Sequence, residues 1–194
     1  MSRIPDQREC VRMLVEEGCP PRVIRHCCRV MDAAVILAKR CQCDLRLVTA
    51  AALLHDIGRS RDHGIGHLGE GLEILRRRGL HGSVIRTVQR HVGGGLDMEE
   101  ARELGLTPGS YMPETIEEKV VAHADNLMGE DRVLSLQEVT DALKEEGLDR
   151  AAIRVAHLHW DLERRCGEDP ASLLAREGAG ENLSGPCAAY VDLR

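Results

Sequence analysis

The chain has 194 residues, with 26 Lys and Arg against 32 Asp and Glu and a formal net charge of −6. A hydrophobic share of 43% and a charged share of 30% are typical of a globular protein of about one domain and exclude a disordered or fibrous chain. An aromatic share of 2% and the acidic balance leave neither a basic stripe nor stacking platforms, so we expect no nucleic-acid duplex as a partner.

Apolar stretches in the chain are short. The longest run, residues 48–54, is interrupted by Thr49 and falls far below the length of about 20 residues that a membrane-spanning helix needs. Residues 1–9 are charged and contain no apolar signal core. We therefore expect a cytoplasmic protein without a membrane partner.

The chain contains eight cysteines. Because nothing indicates secretion, a disulfide framework is not expected, and Cys41-Gln42-Cys43 lacks the C-x-x-C spacing of a zinc knuckle or a thioredoxin site. We interpret the cysteines as small buried hydrophobic residues rather than as metal ligands or redox groups.

Apolar residues recur at helical spacing along almost the whole chain, and no stretch alternates with period two for long enough to form a strand. Asp6 can cap a first helix, which Gly18 and the prolines after it would end. Asp44 can cap a third helix that is rich in Leu and Ala and apolar on most sides, so we expect it to be central and buried. Its last turn carries His55 and Asp56.

The rest of the chain continues this pattern. Gly64 and Gly66 predict a loop before a fourth helix, a fifth helix carries His91, and Pro113 begins a helix with Asp125 near its end. The longer helices are predicted over residues 6–17, 21–40, 44–57, 67–78, 83–92, 113–128, 135–146 and 149–165, with short ones over 97–104 and from Pro170.

The string His55-Asp56-Ile57-Gly58-Arg59 is the most informative one in the chain. An imidazole next to a carboxylate at a helix end can aim two ligands at one point, because the last turn of a helix has conformational freedom. A divalent metal would accept both ligands. A His-Asp pair alone is common, so the interpretation as a metal site depends on further histidines and aspartates. Together with the pair they occur in the chain order His26, His55-Asp56, His67, His91, Asp125.

With these companions the chain resembles the HD superfamily of metal-dependent phosphohydrolases, in its HDIG branch, which is named for the string at residues 55–58. The resemblance runs over residues 23–126 and includes a group of uncharacterised archaeal HDIG proteins. It implies an all-α fold, a compact single-domain helical bundle of about eight helices. In that superfamily the pattern H…HD…D supplies one metal site, which implies the ligands His26, His55, Asp56 and Asp125.

The resemblance also implies a second metal. Residues 67–75 resemble the segment that follows the HD pair in binuclear members, and residues 84–91 resemble the helix that brings a further histidine. Asp56 would then bridge two metals, with His67 and His91 on the second. We expect one or two divalent transition metals, with Mn or Fe favoured by this mixture of imidazoles and carboxylates and with Co, Ni or Zn as alternatives.

The chain is divided accordingly into four segments. We predict an N-terminal helix in residues 1–20, the metal-binding HD core in 21–130, C-terminal helices that pack on the core in 131–177, and a loose tail in 178–194.

Cations near the centre would bind a phosphate. Arg59 follows the HD pair by three residues, and its planar guanidinium offers a fork of donors that suits a phosphate. Arg61 and Lys119 are further candidates, and Arg132 is a weaker one. We predict that Asp56, which would orient the attacking water, and Arg59 are catalytic, and that Arg59, Arg61 and Lys119 bind the substrate.

The other histidines have structural or surface roles in this interpretation. His123 lies two residues before Asp125 and should face away from the metal site. His63, four residues before His67, could replace it as a ligand, although the glycines between them argue against a continuous helix. No partner pattern is visible for His81, His157 and His159.

Three functions are compatible with the sequence. The first is a metal-dependent phosphohydrolase that uses metal-activated water on a small phosphorylated metabolite, expected to be a nucleotide. The second is a di-iron oxygenase, because some members of the superfamily use the same six ligands with dioxygen. The third is a non-catalytic, metal-stabilised nucleotide-binding module. The sequence gives no evidence on the oligomeric state.

Overall fold

The computed structural model describes residues 3–181, 183 and 185–192. The described residues form helices and no β-sheet, which confirms the all-α prediction. None of these helices is both long enough and apolar enough to cross a membrane. The helices are α1 (Gln7–Glu16), α2 (Pro21–Cys41), α3 (Leu45–Leu54), α4 (His67–Arg77), α5 (Gly82–Gln89), α6 (Met98–Glu103), α7 (Ile116–Leu127), α8 (Leu136–Glu145), α9 (Asp149–Cys166), α10 (Pro170–Arg176) and α11 (Gly185–Asp192).

Helices α2 and α3 form the centre of the bundle. Helix α3 packs against α1, α2, α5 and α7, and its residues Val48 and 50–54 are completely buried. The prediction of a central, apolar third helix is therefore confirmed. The main core is aliphatic, and Tyr111 lies in a small separate cluster with Leu68 and Ala101.

Helix α3 ends earlier than predicted, and this places the HD pair outside the helix. His55 is the C-cap of α3, and a short 3-10 turn over Ile57–Ser60 follows Asp56. Gly58 in this turn lies directly against α4: a Cβ atom on Gly58 would stand 1.9 Å from the carbonyl oxygen of His67 and 2.6 Å from the amide nitrogen of Gly71. The turn and α4 can approach this closely only because residue 58 lacks a side chain.

The C-terminal tail differs from its prediction. Residues 185–192, expected to be part of a loose tail, form α11, which packs on α1 and α2. Cys187 is buried and forms a disulfide with Cys28 of α2, so the tail has both an apolar contact and a covalent link. The expectation for residues 182, 184, 193 and 194 lies outside the described residues.

The interpretation of all the cysteines as unpaired hydrophobic residues was wrong. Besides the pair Cys28–Cys187, Cys41 at the end of α2 is linked to Cys166 at the end of α9. Four cysteines remain unpaired, and three of them are buried as expected: Cys10, Cys19 and Cys27. Both disulfides join α2 to C-terminal helices, and linear spacing could not reveal partners that lie more than a hundred residues apart.

A buried histidine pair connects α7 to α9. The Nε2 atom of His123 lies 2.9 Å from Nδ1 of His159, and Nε2 of His159 lies 2.6 Å from Oδ2 of Asp169, which caps α10. Because Asp169 accepts the Nε2 proton of His159, the Nδ1 atom of His159 accepts from His123. The Nδ1 atom of His123 is then unprotonated, and it is buried without a hydrogen-bond partner.

We expect this pair to make the protein less stable in mild acid. Burial beside His159 lowers the pKa of His123 to about 3, whereas an unfolded histidine has a pKa of about 6.5. The unfolded chain therefore binds more protons between these values, and the free energy of unfolding falls as the pH decreases through this window. From pH 7 to pH 5 the contribution of His123 is about 2 kcal/mol.

Urea unfolding at pH 7 and pH 5 measures this effect. The variant His123→Gln should show a smaller loss of stability between the two pH values than the wild type. His157→Gln, which changes an exposed histidine of α9, is the matched control and should keep the wild-type loss. Equal losses in the wild type and in His123→Gln would contradict the prediction.

Candidate metal centre

Six side chains predicted as ligands converge on one point beneath the surface. They come from the second turn of α2, the two residues that follow α3, the first residue of α4, the residue two positions after the end of α5, and the end of α7. Most of them are buried, so the bundle holds them in a low-dielectric setting. The six are His26, His55, Asp56, His67, His91 and Asp125.

One half of the centre surrounds Asp125. Its Oδ1 atom lies 2.9 Å from Nε2 of His26 and 3.4 Å from Nε2 of His55. One candidate ligand atom from each of these three residues lies within 4.8 Å of the others. This spacing suits a single metal ion.

The other half surrounds Asp56. Its Oδ1 atom lies 3.3 Å from Nε2 of His67 and 3.8 Å from Nε2 of His91, and its Oδ2 atom lies 3.7 Å from Nε2 of His55. His55, Asp56 and His91 form a second group whose ligand atoms lie within 4.8 Å of one another. Asp56 thus has both oxygens directed toward imidazoles, and His55 is shared between the two groups.

Backbone carbonyls orient three of the imidazoles. The Nδ1 atoms of His55, His67 and His91 lie 2.7, 2.6 and 2.7 Å from the carbonyl oxygens three residues earlier in the chain. Since a carbonyl can only accept, each Nδ1 carries the proton and each Nε2 presents a lone pair to the centre. This is the tautomer that a metal ligand requires.

Several polar atoms of the centre have no hydrogen-bond partner. Nε2 of His55, Nε2 of His67 and Oδ1 of Asp56 are buried and unpaired. Buried polar atoms without a partner are costly, and three in one place fit a cation-binding site better than poor packing. The imidazole and carboxylate donors fit a divalent transition metal.

The charges at the centre also favour a cation. Burial opposes the charged form of His55, but the neighbouring Asp125 and Asp56 carboxylates outweigh it and hold the pKa of His55 well above its ordinary value. Burial lowers the pKa of His91 to about 4 and also lowers the pKa of His67. The same carboxylates would stabilise a metal ion that replaces the Nε2 proton of His55, and the other two imidazoles are neutral and able to coordinate.

A cavity of about 620 Å³ opens over the centre. Arg59 lines it and donates from Nε to Oδ2 of Asp56 at 2.5 Å and from Nη1 to the carbonyl oxygen of His63 at 2.9 Å. Arg59 therefore lies at the cavity and beside Asp56. His63 is exposed on the rim, while His67 reaches the centre, so His63 does not replace it.

Two of the expected substrate-binding residues lie elsewhere, which corrects the prediction. Arg61 turns away from the cavity to Glu70, with an Nη1–Oε2 distance of 2.9 Å. Lys119 lies on α7, six residues before Asp125 and on another side of that helix. Its Nζ atom pairs with Oδ2 of Asp161 on α9 at 2.6 Å. Nearby acidic side chains thus hold both cations outside the cavity. Arg132, the weaker candidate, pairs with Glu138.

Sequence reasoning missed three arginines that do line the cavity. Arg22, Arg25 and Arg29 belong to α2, the helix that carries His26. A signal was available, because the spacing of three and four residues places them on one helix face with His26.

The model of the HD domain family matches residues 23–129, which contain all six candidate ligands. The chain belongs to the HD domain family. This confirms the resemblance that the order of histidines and aspartates indicated.

Relatives of this HD protein carry different names. It is 47% identical over 166 residues to a "tRNA (cytidine(56)-2'-O)-methyltransferase" of Thermoplasma volcanium, covering 86% of this chain and 49% of the relative. It is 47% identical over 137 residues to "Uncharacterized protein MJ0778" of Methanocaldococcus jannaschii, covering 68% of this chain and 79% of the relative. The HD protein therefore spans about half the length of the methyltransferase relative.

Solved structures share the fold of this HD protein. The HD domain of the Listeria monocytogenes phosphodiesterase PgpH superposes with a TM-score of 0.51 at 15% identity, covering 95% of this chain and 98% of that one. The same domain in complex with cyclic-di-AMP gives a TM-score of 0.53 at 16% identity, covering 86% and 95%. At this level of identity the likeness concerns the fold.

Proposed function

We propose that this HD protein is a metal-dependent phosphohydrolase acting on a small phosphorylated metabolite of the nucleotide type. The observation that carries the proposal is the set of unpaired, buried ligand atoms of His55, Asp56 and His67 next to an open cavity, which Asp56 itself lines. A structural metal site has no need of an opening to solvent, whereas a catalytic one must admit a substrate.

Each residue of the centre has a defined task in this proposal. His26, His55, Asp56 and Asp125 would hold one divalent metal, and Asp56, His67 and His91 would hold a second. When bound, such metals acidify water and offset negative charge on phosphoryl oxygens. Asp56 orients the attacking water through its carboxylate, and the hydrogen bond from Arg59 fixes the position of that carboxylate. The Arg59 guanidinium also faces the cavity as a donor for a phosphate oxygen.

Two related proteins support this function by name. A protein 31% identical over 147 residues is the "Ribonuclease Y" of Symbiobacterium thermophilum, of which the match covers 28%. The PgpH domain is called a phosphodiesterase and was crystallised with cyclic-di-AMP. The methyltransferase name belongs to proteins of about twice the matched length, and we do not extend that activity to this chain.

Metal stoichiometry together with hydrolysis tests the proposal. Anaerobically purified protein is loaded with Mn(II) or Fe(II), metal is counted by mass spectrometry, and hydrolysis of bis(p-nitrophenyl) phosphate is followed. We expect about two metal ions per chain, with one lost in His91→Ala, and activity that a chelator abolishes. A chain that binds no metal would contradict the proposal. Dioxygen consumption by the iron form without hydrolysis would indicate the oxygenase instead.

A further inference from the structure

One wall of the cavity over the metal centre is made by α2. Arg22, Arg25 and Arg29 project from the same helix face as His26 and line the cavity together with Asp56 and Arg59. Arg22 lies about one helical turn, or about 6 Å along the axis, from His26. This wall therefore presents positive charge beside the centre rather than within it.

The three arginines are engaged to different extents. Arg29 donates a hydrogen bond to the backbone oxygen of Glu130, which also lines the cavity, so it has a structural role. Arg22 and Arg25 are exposed, and neither makes a hydrogen bond or an ion pair with any residue in the described part of the chain. Two unpaired guanidinium groups thus border a cavity that already contains the Arg59 guanidinium.

The positive charge of this wall comes from its side chains. Pro20 is the N-cap of α2 and Pro21 its first residue, so neither offers an N–H, and the amide of Val23 already donates to the carbonyl oxygen of Pro20 at 2.9 Å. Glu130 and Asp131 also line the cavity, and Glu130 lies beside Arg29. An anion in the cavity is therefore attracted to Arg22 and Arg25 and repelled by these two carboxylates.

We propose that Arg22 and Arg25 form an anion subsite, which binds a phosphate group of the substrate other than the one that is hydrolysed. The inference rests on the proposed function and specifies its substrate class: a molecule with at least two phosphate groups. The second phosphate belongs either to a nucleoside diphosphate or to a dinucleotide, and both offer the same oxygen acceptors to the two guanidinium groups.

The test compares substrates with one and with two phosphate groups. The double variant Arg22→Ala/Arg25→Ala is assayed with bis(p-nitrophenyl) phosphate, with ADP and with a dinucleotide that carries a 5′-phosphate. The quantity measured is kcat/KM for a two-phosphate substrate divided by kcat/KM for the one-phosphate substrate. We expect this ratio to fall about tenfold or more in the double variant, mainly because KM for the two-phosphate substrate rises. Whether ADP or the dinucleotide shows the larger fall identifies the source of the phosphate.

Two controls keep the result interpretable. Arg86→Ala removes an exposed arginine of α5 outside the cavity and should leave the ratio unchanged. Arg22→Lys/Arg25→Lys keeps the charge and should recover part of the ratio. An unchanged ratio in the double alanine variant, or an equal loss for all three substrates, would overturn the subsite.

Binding measurements separate failure of the subsite from failure of the proposed function. Titration calorimetry with ADP and with inorganic phosphate needs no turnover, and the double alanine variant should bind ADP about tenfold or more weakly than the wild type. If the metal-loaded wild type hydrolyses nothing but this difference persists, the hydrolase proposal fails and the subsite stands. Equal ADP affinity in the two proteins refutes the subsite whatever the activity.

Discussion

Asp56→Asn is expected to reduce metal-dependent hydrolysis by about a thousandfold or more and to leave less than one tightly bound metal per chain. The carboxylate contacts His55, His67 and His91, and in the proposed function it would be a ligand of both metals. Asparagine has the same shape, but it loses the negative charge and one of the two acceptor oxygens.

Metal analysis and steady-state hydrolysis measure this effect, and unfolding experiments show that it is not a folding defect. The metal-free variant should remain folded, because removing a buried carboxylate also removes the cost of its desolvation. Asp161→Asn, which changes a carboxylate on the surface of α9, is the matched control and should keep the metal content of the wild type. Full metal content and activity in Asp56→Asn would remove this residue from the centre.

Gly58→Ala is expected to lower the free energy of unfolding by about 3 kcal/mol or more. The new methyl group would stand 1.9 Å from the carbonyl oxygen of His67 and 2.6 Å from the amide nitrogen of Gly71. Both are backbone atoms, so the contact can be relieved only if α4 moves away from the turn. Helix α4 begins with His67, and its displacement should also weaken binding of the second metal.

Urea unfolding of Gly58→Ala and Gly69→Ala distinguishes this clash from a general effect of alanine. Gly69 lies in the same helix, and a Cβ atom there meets nothing within 4 Å. Because alanine favours helix over glycine, Gly69→Ala should be neutral or stabilising by up to about 1 kcal/mol. If the two variants unfold at the same urea concentration, the close approach at Gly58 has no energetic consequence.

The helices could be predicted from local periodicity, whereas the convergence of the six candidate ligands was implied by the resemblance to a known family. Helical periodicity marks α2, α3 and α7, and the order of histidines and aspartates along them resembles a known arrangement. The orientation of the imidazoles was not predictable, since it depends on carbonyl groups such as that of Ala52, which accepts from His55 only when the last turn of α3 has formed.

The positions of the cations required the folded structure. Arg61 and Lys119 are near the HD string or Asp125 in sequence, yet acidic partners at Glu70 and Asp161 hold them elsewhere. Arg22 and Arg25 precede the HD string by some thirty residues, and the sequence signal for them is their helical spacing from His26, whose helix packs on α3. Such neighbours are set by packing between helices, which sequence distance does not encode.

The two disulfides have a consequence for how the chain would come apart under proteolysis. The pair Cys41–Cys166 lies within the span enclosed by Cys28–Cys187, so the two links are nested along the sequence. A cut anywhere between residues 41 and 166 leaves two fragments joined by both bonds, and a cut between 28 and 41 or between 166 and 187 leaves them joined by one. Loops around the cavity can therefore be nicked without releasing α2 from the C-terminal helices, until a reductant separates the pieces.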